Sequence, residues 1–227
     1  MLLTLLVTFF HPAAAEDAPD PIVTDRPDIA ESSLAVGRGV YQLEQGVSAT
    51  GLGGTTTVGF PSLSRYGIGH GLELRLETPV VAVQGGAPAF DGVAVGAKWH
   101  IPTEALSLGV LAHAAFDAGG DVAPILKLAY DTDLPAGFEL GINVGATTAP
   151  GLGKASALWA TALGRPLNDQ LRLYVEASGE TSADISSVAF DGGFAYLIND
   201  DVQWDVSALY GDGWAAGTGL SVRFDGR

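Results

Sequence analysis

Residues 72–77 read Leu72-Glu73-Leu74-Arg75-Leu76-Glu77, a strict alternation of apolar and charged side chains. In a β-strand, successive side chains point to opposite faces. Leu72, Leu74 and Leu76 therefore share one face, and Glu73, Arg75 and Glu77 share the other. A helix would scatter the same residues around its axis and bury charge. The reading turns on what each face meets: a core and water, or lipid and a polar lumen.

The same alternation recurs to the C-terminus. Val93, Val95, Ala97, Trp99 and Ile101 alternate with smaller or polar residues, as do Phe138, Leu140, Ile142, Val144 and Ala146. Leu171, Leu173 and Val175, and then Val202, Trp204 and Val206, repeat it. Polar breaks near Gly69-His70, Pro102-Thr103, Leu134-Pro135, Asn168-Asp169 and Asn199-Asp200 recur about every 33 residues, the length of a hairpin of two long strands. Gly-rich breaks fall between them, the longest spanning Pro79 to Phe90.

The pattern predicts about twelve strands, near residues 39–50, 54–61, 69–78, 91–101, 105–116, 121–131, 137–147, 154–164, 170–180, 187–197, 201–210 and 214–224, with ten strands as the second choice. Most are ten or eleven residues long. Strands of soluble sandwiches favour about five or six residues, whereas a tilted membrane strand needs about nine to eleven. Aromatic residues gather toward strand ends at Trp99, Phe116, Tyr130, Phe138, Trp204 and Tyr210, as in an interfacial girdle. The expected fold is all-β: a closed antiparallel up-and-down transmembrane β-barrel, in which closure removes the sheet edges that lipid would not tolerate.

Composition narrows the function. Of 227 residues, 47% are hydrophobic and 16% charged, yet no apolar run reaches the length of about 18 that a spanning helix requires. The net charge of −15 argues against a nucleic-acid partner, because phosphate binding needs clustered cations. With no Cys, disulfides and Cys-based metal sites are excluded. No His and carboxylate cluster has zinc spacing, and neither a metal nor a cofactor is expected. Residues 1–15 read as a signal peptide, an apolar core from Leu2 to Phe10 ending in Ala13-Ala14-Ala15, although no Lys or Arg precedes it. Residues 16–38 read as an extended segment and residues 39–227 as the barrel domain.

Three segments resemble an outer-membrane, transporter-like family labelled "putative MetA-pathway of phenol degradation". They are Thr24-Asp25-Arg26-Pro27-Asp28 with Glu31-Ser32 and Gln42-Leu43-Glu44; Ser64-Arg65-Tyr66-Gly67-Ile68 leading into Leu72-Glu73-Leu74-Arg75; and Gly96-Ala97-Lys98-Trp99 leading into Pro102-Thr103-Glu104. The resemblance covers about the first hundred residues. It implies a bacterial outer-membrane barrel with a transport role, and its label points to small hydrophobic or aromatic solutes. Leu220, Val222 and Phe224 form a terminal strand of the kind that barrel-assembly machinery reads, though Asp225-Gly226-Arg227 follow. Expected partners are thus outer-membrane lipid, that machinery and a small-molecule solute.

If the apolar faces meet lipid, the lumen is lined by Glu44, Glu73, Arg75, Glu77, Lys98, His113, Lys127, Glu139, Arg172, Glu176, Asp205 and Arg223. Both signs are present, so these groups should pair across strands or stay hydrated. Asp25, Arg26, Asp28 and Glu31 are candidates for a lumen plug, with Arg26 expected at Glu73 or Glu77. No catalytic residue is assigned. Outer-membrane lipid hydrolases set a His two residues before a Ser, and His70, His100 and His113 lack that pairing. The leading function is a passive channel or transporter for small molecules. A structural or interaction barrel without transport and an outer-membrane lipid-modifying enzyme are the alternatives.

Overall fold

The computed structural model describes residues 21–225 apart from 79, 84–85, 87–88, 91, 102, 104–105, 118, 149–154 and 185. The signal-peptide reading of residues 1–15 lies outside the described residues.

Twelve strands form one closed sheet. They are β1 (Tyr41–Leu52), β2 (Thr55–Phe60 continuing as Ser62–Gly69), β3 (Leu72–Glu77 continuing as Val80–Val83), β4 (Ala89–Phe90 continuing as Val93–Ile101), β5 (Ser107–Phe116) and β6 (Val122–Leu134). Then follow β7 (Phe138–Thr148), β8 (Ala155–Pro166), β9 (Leu171–Thr181), β10 (Ser186–Asn199), β11 (Val202–Tyr210) and β12 (Trp214–Phe224). Each strand pairs antiparallel with the next, and β12 returns to β1 from Tyr41↔Phe224 to Gly51↔Trp214. At that seam the Tyr41 ring stacks on Phe224 with centroids 5.8 Å apart. Both barrel ends of the chain lie at one rim, here the terminal rim; the opposite one is the distal rim.

Two expectations need correction. The strand expected over residues 54–61 runs on to Gly69. Pro61 has no N–H for the ladder and splits β2, but the pairing with β1 continues from Ser48↔Gly59 to Gln45↔Ser62 without a shift. Its carbonyl still accepts from Gly46 N at 2.9 Å. The expected loop from Pro79 to Phe90 also contains the strand pieces Val80–Val83 and Ala89–Phe90, which pair with each other, the first also pairing with β2. β-branched valines extend the sheet where the Gly and Pro content suggested a break.

The usual inside and outside are reversed. Leu74 is 51% exposed, while Glu73 on the other face is fully buried. Leu126, Leu128, Val144, Val175 and Leu220 also point outward, and Tyr66, Trp99, Tyr196, Trp204, Phe60, Phe116, Tyr210 and Trp214 ring the two ends. The interior holds Gln42, Glu44, Arg65, Lys98, Asn143, Asp205 and Ser221, all buried. Unbroken strands of 9 to 14 residues are long enough to cross a bilayer at a tilt. No described helix is long and apolar enough to cross one.

A charge on the outer belt should therefore be costly. Val175→Arg, at the middle of β9 and 61% exposed, should destabilise the barrel by about 2–4 kcal/mol. Guanidine titration of protein folded into lipid vesicles measures this.

Candidate functional site

The interior is occupied by the chain itself. Residues 22–39 enter at the terminal rim, loop to mid-barrel and return to β1. The segment alternates weakly and carries prolines, so it does not add to the sheet. Ile22 N bonds to Asp200 O in the β10–β11 turn at 2.7 Å, fixing the entry. Gly39 N donates to Gly67 O at 2.8 Å and Gly67 N to Val40 O at 3.0 Å, fixing the exit.

Between these points the contacts are mostly electrostatic. Arg65 on β2, Arg75 on β3 and Lys98 on β4 converge on one wall, which supplies the carboxylates Glu44 and Glu73. Three cations against two acids leave one positive charge over, and Asp25 of the segment balances it. Lys98 Nζ lies 2.8 Å and Arg75 Nη1 2.5 Å from Asp25 Oδ2. Glu73 accepts from Arg65, Arg75 and Val36 N. Glu44 accepts from Arg65 and from the backbone N–H of Asp25 and Arg26. Glu31 bridges Arg75 at 2.7 Å and Lys127 at 2.6 Å.

Arg26 corrects a prediction. It pairs with Asp205 on β11, Nη2 to Oδ1 at 3.0 Å and Nε to Oδ2 at 3.3 Å, and not with Glu73 or Glu77. Glu73 is already taken up by Arg65 and Arg75. Gly46 and Gly219, side by side across the β1–β12 seam, leave the space for the guanidinium, since a Cβ on either would run into it.

The other wall is more lightly charged. Asp28 meets Arg172, Nη1 to Oδ2 at 3.2 Å, and Arg172 Nε reaches Glu139 at 2.8 Å. Glu176 accepts from Ile29 N and Ala30 N, both at 2.7 Å. Glu31 N donates to Asn143 Oδ1 at 2.8 Å, and Asn143 Nδ2 returns a bond to Glu31 O at 2.9 Å. Ser33 N donates to Asp131 at 2.6 Å.

Of the twelve lumen candidates, Glu44, Glu73, Arg75, Lys98, Lys127, Arg172, Glu176 and Asp205 contact the segment directly, and Glu139 acts through Arg172. Glu77 and His113 contact each other at 3.1 Å, and Arg223 bonds Asp201 at 2.7 Å. Arg65, Asn143, Asp131, Gln42 and Gln203 also contact the segment and lie outside those twelve. Each lies at an inward position of the alternation, so counting every polar inward residue, not only the charges on well-patterned strands, would have found them. His100 Nδ1 lies 3.2 Å from the Ser33 carbonyl.

Burial opposes charge on Asp25, but Arg65, Lys98 and Arg75 outweigh it and hold its carboxyl well below the usual carboxylate range. Burial likewise opposes charge on Glu31, yet Arg75 and Lys127 bring it down to about 2. For Asp28, burial wins over Arg172 and pushes the carboxyl up.

A closed twelve-strand barrel with a lipid-facing belt and a polar, occupied interior defines a transmembrane β-barrel of the bacterial outer membrane. Within that class, residues 24–224 match the family described as "Putative MetA-pathway of phenol degradation", and the chain belongs to it. Among solved structures it is similar to the NanC porin, with a TM-score of 0.63, 11% identity and coverage of 79% of this chain and 98% of that one. The COG4313 outer membrane channel from Pseudomonas putida F1 gives 0.60 at 11% identity, covering 85% and 98%. The KdgM porin gives 0.60 at 8% identity, covering 81% and 99%. These likenesses are of fold. No curated protein matches the chain.

Two predictions follow from the charge balance. Asp25→Asn leaves buried cations short of a carboxylate and should weaken docking of the segment by about 3–5 kcal/mol. Faster hydrogen exchange at the amides of Asp25 and Val36 would show it. The pH dependence has a definite sign. Asp25 and Glu31 are depressed, so their contribution is present above the ordinary values of 3.8 and 4.5 and is lost as pH falls through the docked values, about 2 for Glu31. Asp28 is raised, so it favours docking most below 3.8 and loses that contribution as pH rises through its docked value. Because the two depressed groups carry more partners, protection of the Ile29 and Val36 amides, corrected for intrinsic exchange, should fall with acidification below 4.5.

Proposed function

We propose that this protein is a passive channel for small molecules across the outer membrane, closed at rest by residues 22–39. What carries this reading is the unfilled interior space on both sides of the segment. One cavity of about 550 Å³ reaches the terminal rim, and a second of about 320 Å³ lies toward the distal rim. A barrel with only a structural role has no need of cavities that end at a removable segment. The segment is held by ion pairs and hydrogen bonds rather than by an apolar core, and such contacts can be exchanged for water without exposing apolar surface.

The terminal rim is the periplasmic one in this reading, since an even-stranded outer-membrane barrel keeps its short turns there. The family description points to phenols and thus to small hydrophobic or aromatic compounds. The path itself is amphipathic: Leu158, Ala160 and Ala189 stand beside Lys127, Asn143 and Ser178 in the distal cavity. A small solute with an apolar body and a polar edge suits both descriptions. His100 and His113 are engaged by the Ser33 carbonyl and by Glu77, which favours a non-enzymatic role over lipid hydrolysis.

Deleting residues 16–35 should raise single-channel conductance in planar bilayers several-fold, and liposome swelling should then accept a wider range of solutes. Equal currents from the full and shortened chains would count against a plugged channel.

A further inference from the structure

The two cavities come close together at one place. On the wall, the cavity at the terminal rim ends at Gly141 and Ala162, and the distal one begins at Asn143 and Ala160. Along β7 and β8 these are successive inward residues, about 6–7 Å apart. A single layer of side chains thus divides the two spaces. Ala30 fills it, packed against Ala160 and Ala162, all three buried. These three methyl groups, with Glu176 and Asn143 opposite Ala162 and Ala160 in register, make the seal.

This stretch is held differently from the rest of the segment. Glu176 receives the N–H groups of Ile29 and Ala30, and Asn143 exchanges two bonds with the Glu31 backbone. Among the described residues Glu176 forms no ion pair. The flanking limbs are anchored by Asp25 against three buried cations, by Asp28 on Arg172, by Glu31 on Arg75 and Lys127, and by Val36 N on Glu73. There Gly67 also packs so closely on Gly37 that a Cβ would collide with its carbonyl. Breaking a buried ion pair costs more than releasing a backbone N–H to water. Ile29 and Ala30 are therefore the part that can move while the ion-paired Asp28 and Glu31 on either side stay docked.

We infer that permeation runs along the β7–β9 wall, that Ile29 and Ala30 form the gate by swinging away from Ala160 and Ala162, and that Glu176 is the latch. This rests on the channel reading above. Full displacement of the segment is not needed for opening. Solutes pass between the segment and β7–β9, while the Arg65, Arg75 and Lys98 wall stays closed.

The chain has no Cys, so engineered pairs are the only thiols present. Ala30→Cys with Ala162→Cys ties the gate shut. Ser33→Cys with Ser107→Cys ties a returning limb to β5, where the two hydroxyl oxygens are 2.7 Å apart. Potassium chloride current through the full-length protein in planar bilayers is the readout. Oxidising the gate pair should abolish openings, and reductant should restore them; the limb pair should conduct alike in both states. Glu176→Gln leaves one acceptor oxygen in place of two and should raise open probability about tenfold. The inference is overturned if the oxidised gate pair conducts like the reduced one, or if the limb lock closes the channel as well. Should the gate pair resist cross-linking, unchanged open probability in Glu176→Gln overturns it. If neither the full chain nor the residue 16–35 deletion carries current, the channel reading fails as well. If both conduct and the gate variants change nothing, only the gate assignment fails.

Discussion

Buried charge must be matched, and the lumen of this barrel is organised around that requirement. Arg65, Arg75 and Lys98 are nearly or wholly removed from solvent. Glu44 and Glu73 leave them one carboxylate short, and Asp25 supplies it from a segment outside the sheet. In a water-filled barrel the excess charge would be hydrated. In a narrow one its desolvation is costly, so the wall selects an acidic segment. The same logic pairs Lys127 with Glu31, Arg26 with Asp205 and Arg172 with Asp28. At these positions segment and wall are complementary in charge.

Complementarity in charge does not make the segment uniform. Where cations converge, at Asp25, the contacts are numerous and buried. Where the wall offers Glu176 and Asn143, between the Asp28–Arg172 and Glu31–Lys127 pairs, Ile29 and Ala30 are held through their backbone and Ala30 packs on two alanines. Cavities lie on this second side. A closed resting state and a local means of opening thus arise from one uneven distribution of cations around the barrel, concentrated on β2 to β4 and sparse on β7 to β10.

Much of the fold was legible because lipid imposes a simple code. Leu72, Leu74 and Leu76 had to face apolar surroundings, and strand length decided that these were lipid. The code weakened where the outward residues were polar or small. Ser62 and Ser64 blur the alternation of β2, and Pro61 looks like a terminator although the ladder continues past it. Inward charges could be listed by parity alone, so Glu73, Lys98 and Asp205 were found. Arg65 escapes that rule because Pro61, Ser62 and Ser64 hide the strand that carries it.

Partner choice was not legible in the same way. Arg26 and Asp205 are 179 positions apart and meet because β12 closes on β1 and sets β11 close by. Which strands flank the seam depends on strand number and register around the whole barrel. Gly46 and Gly219 acquire their purpose, room for a guanidinium, only once that seam exists. The sequence by itself determined two faces, twelve strands and an acidic N-terminal segment, because alternation and charge are local properties that the bilayer reads residue by residue. Only the tertiary structure decided which cation each acid would meet and where the segment seals the lumen, because those depend on closure, which no single strand encodes.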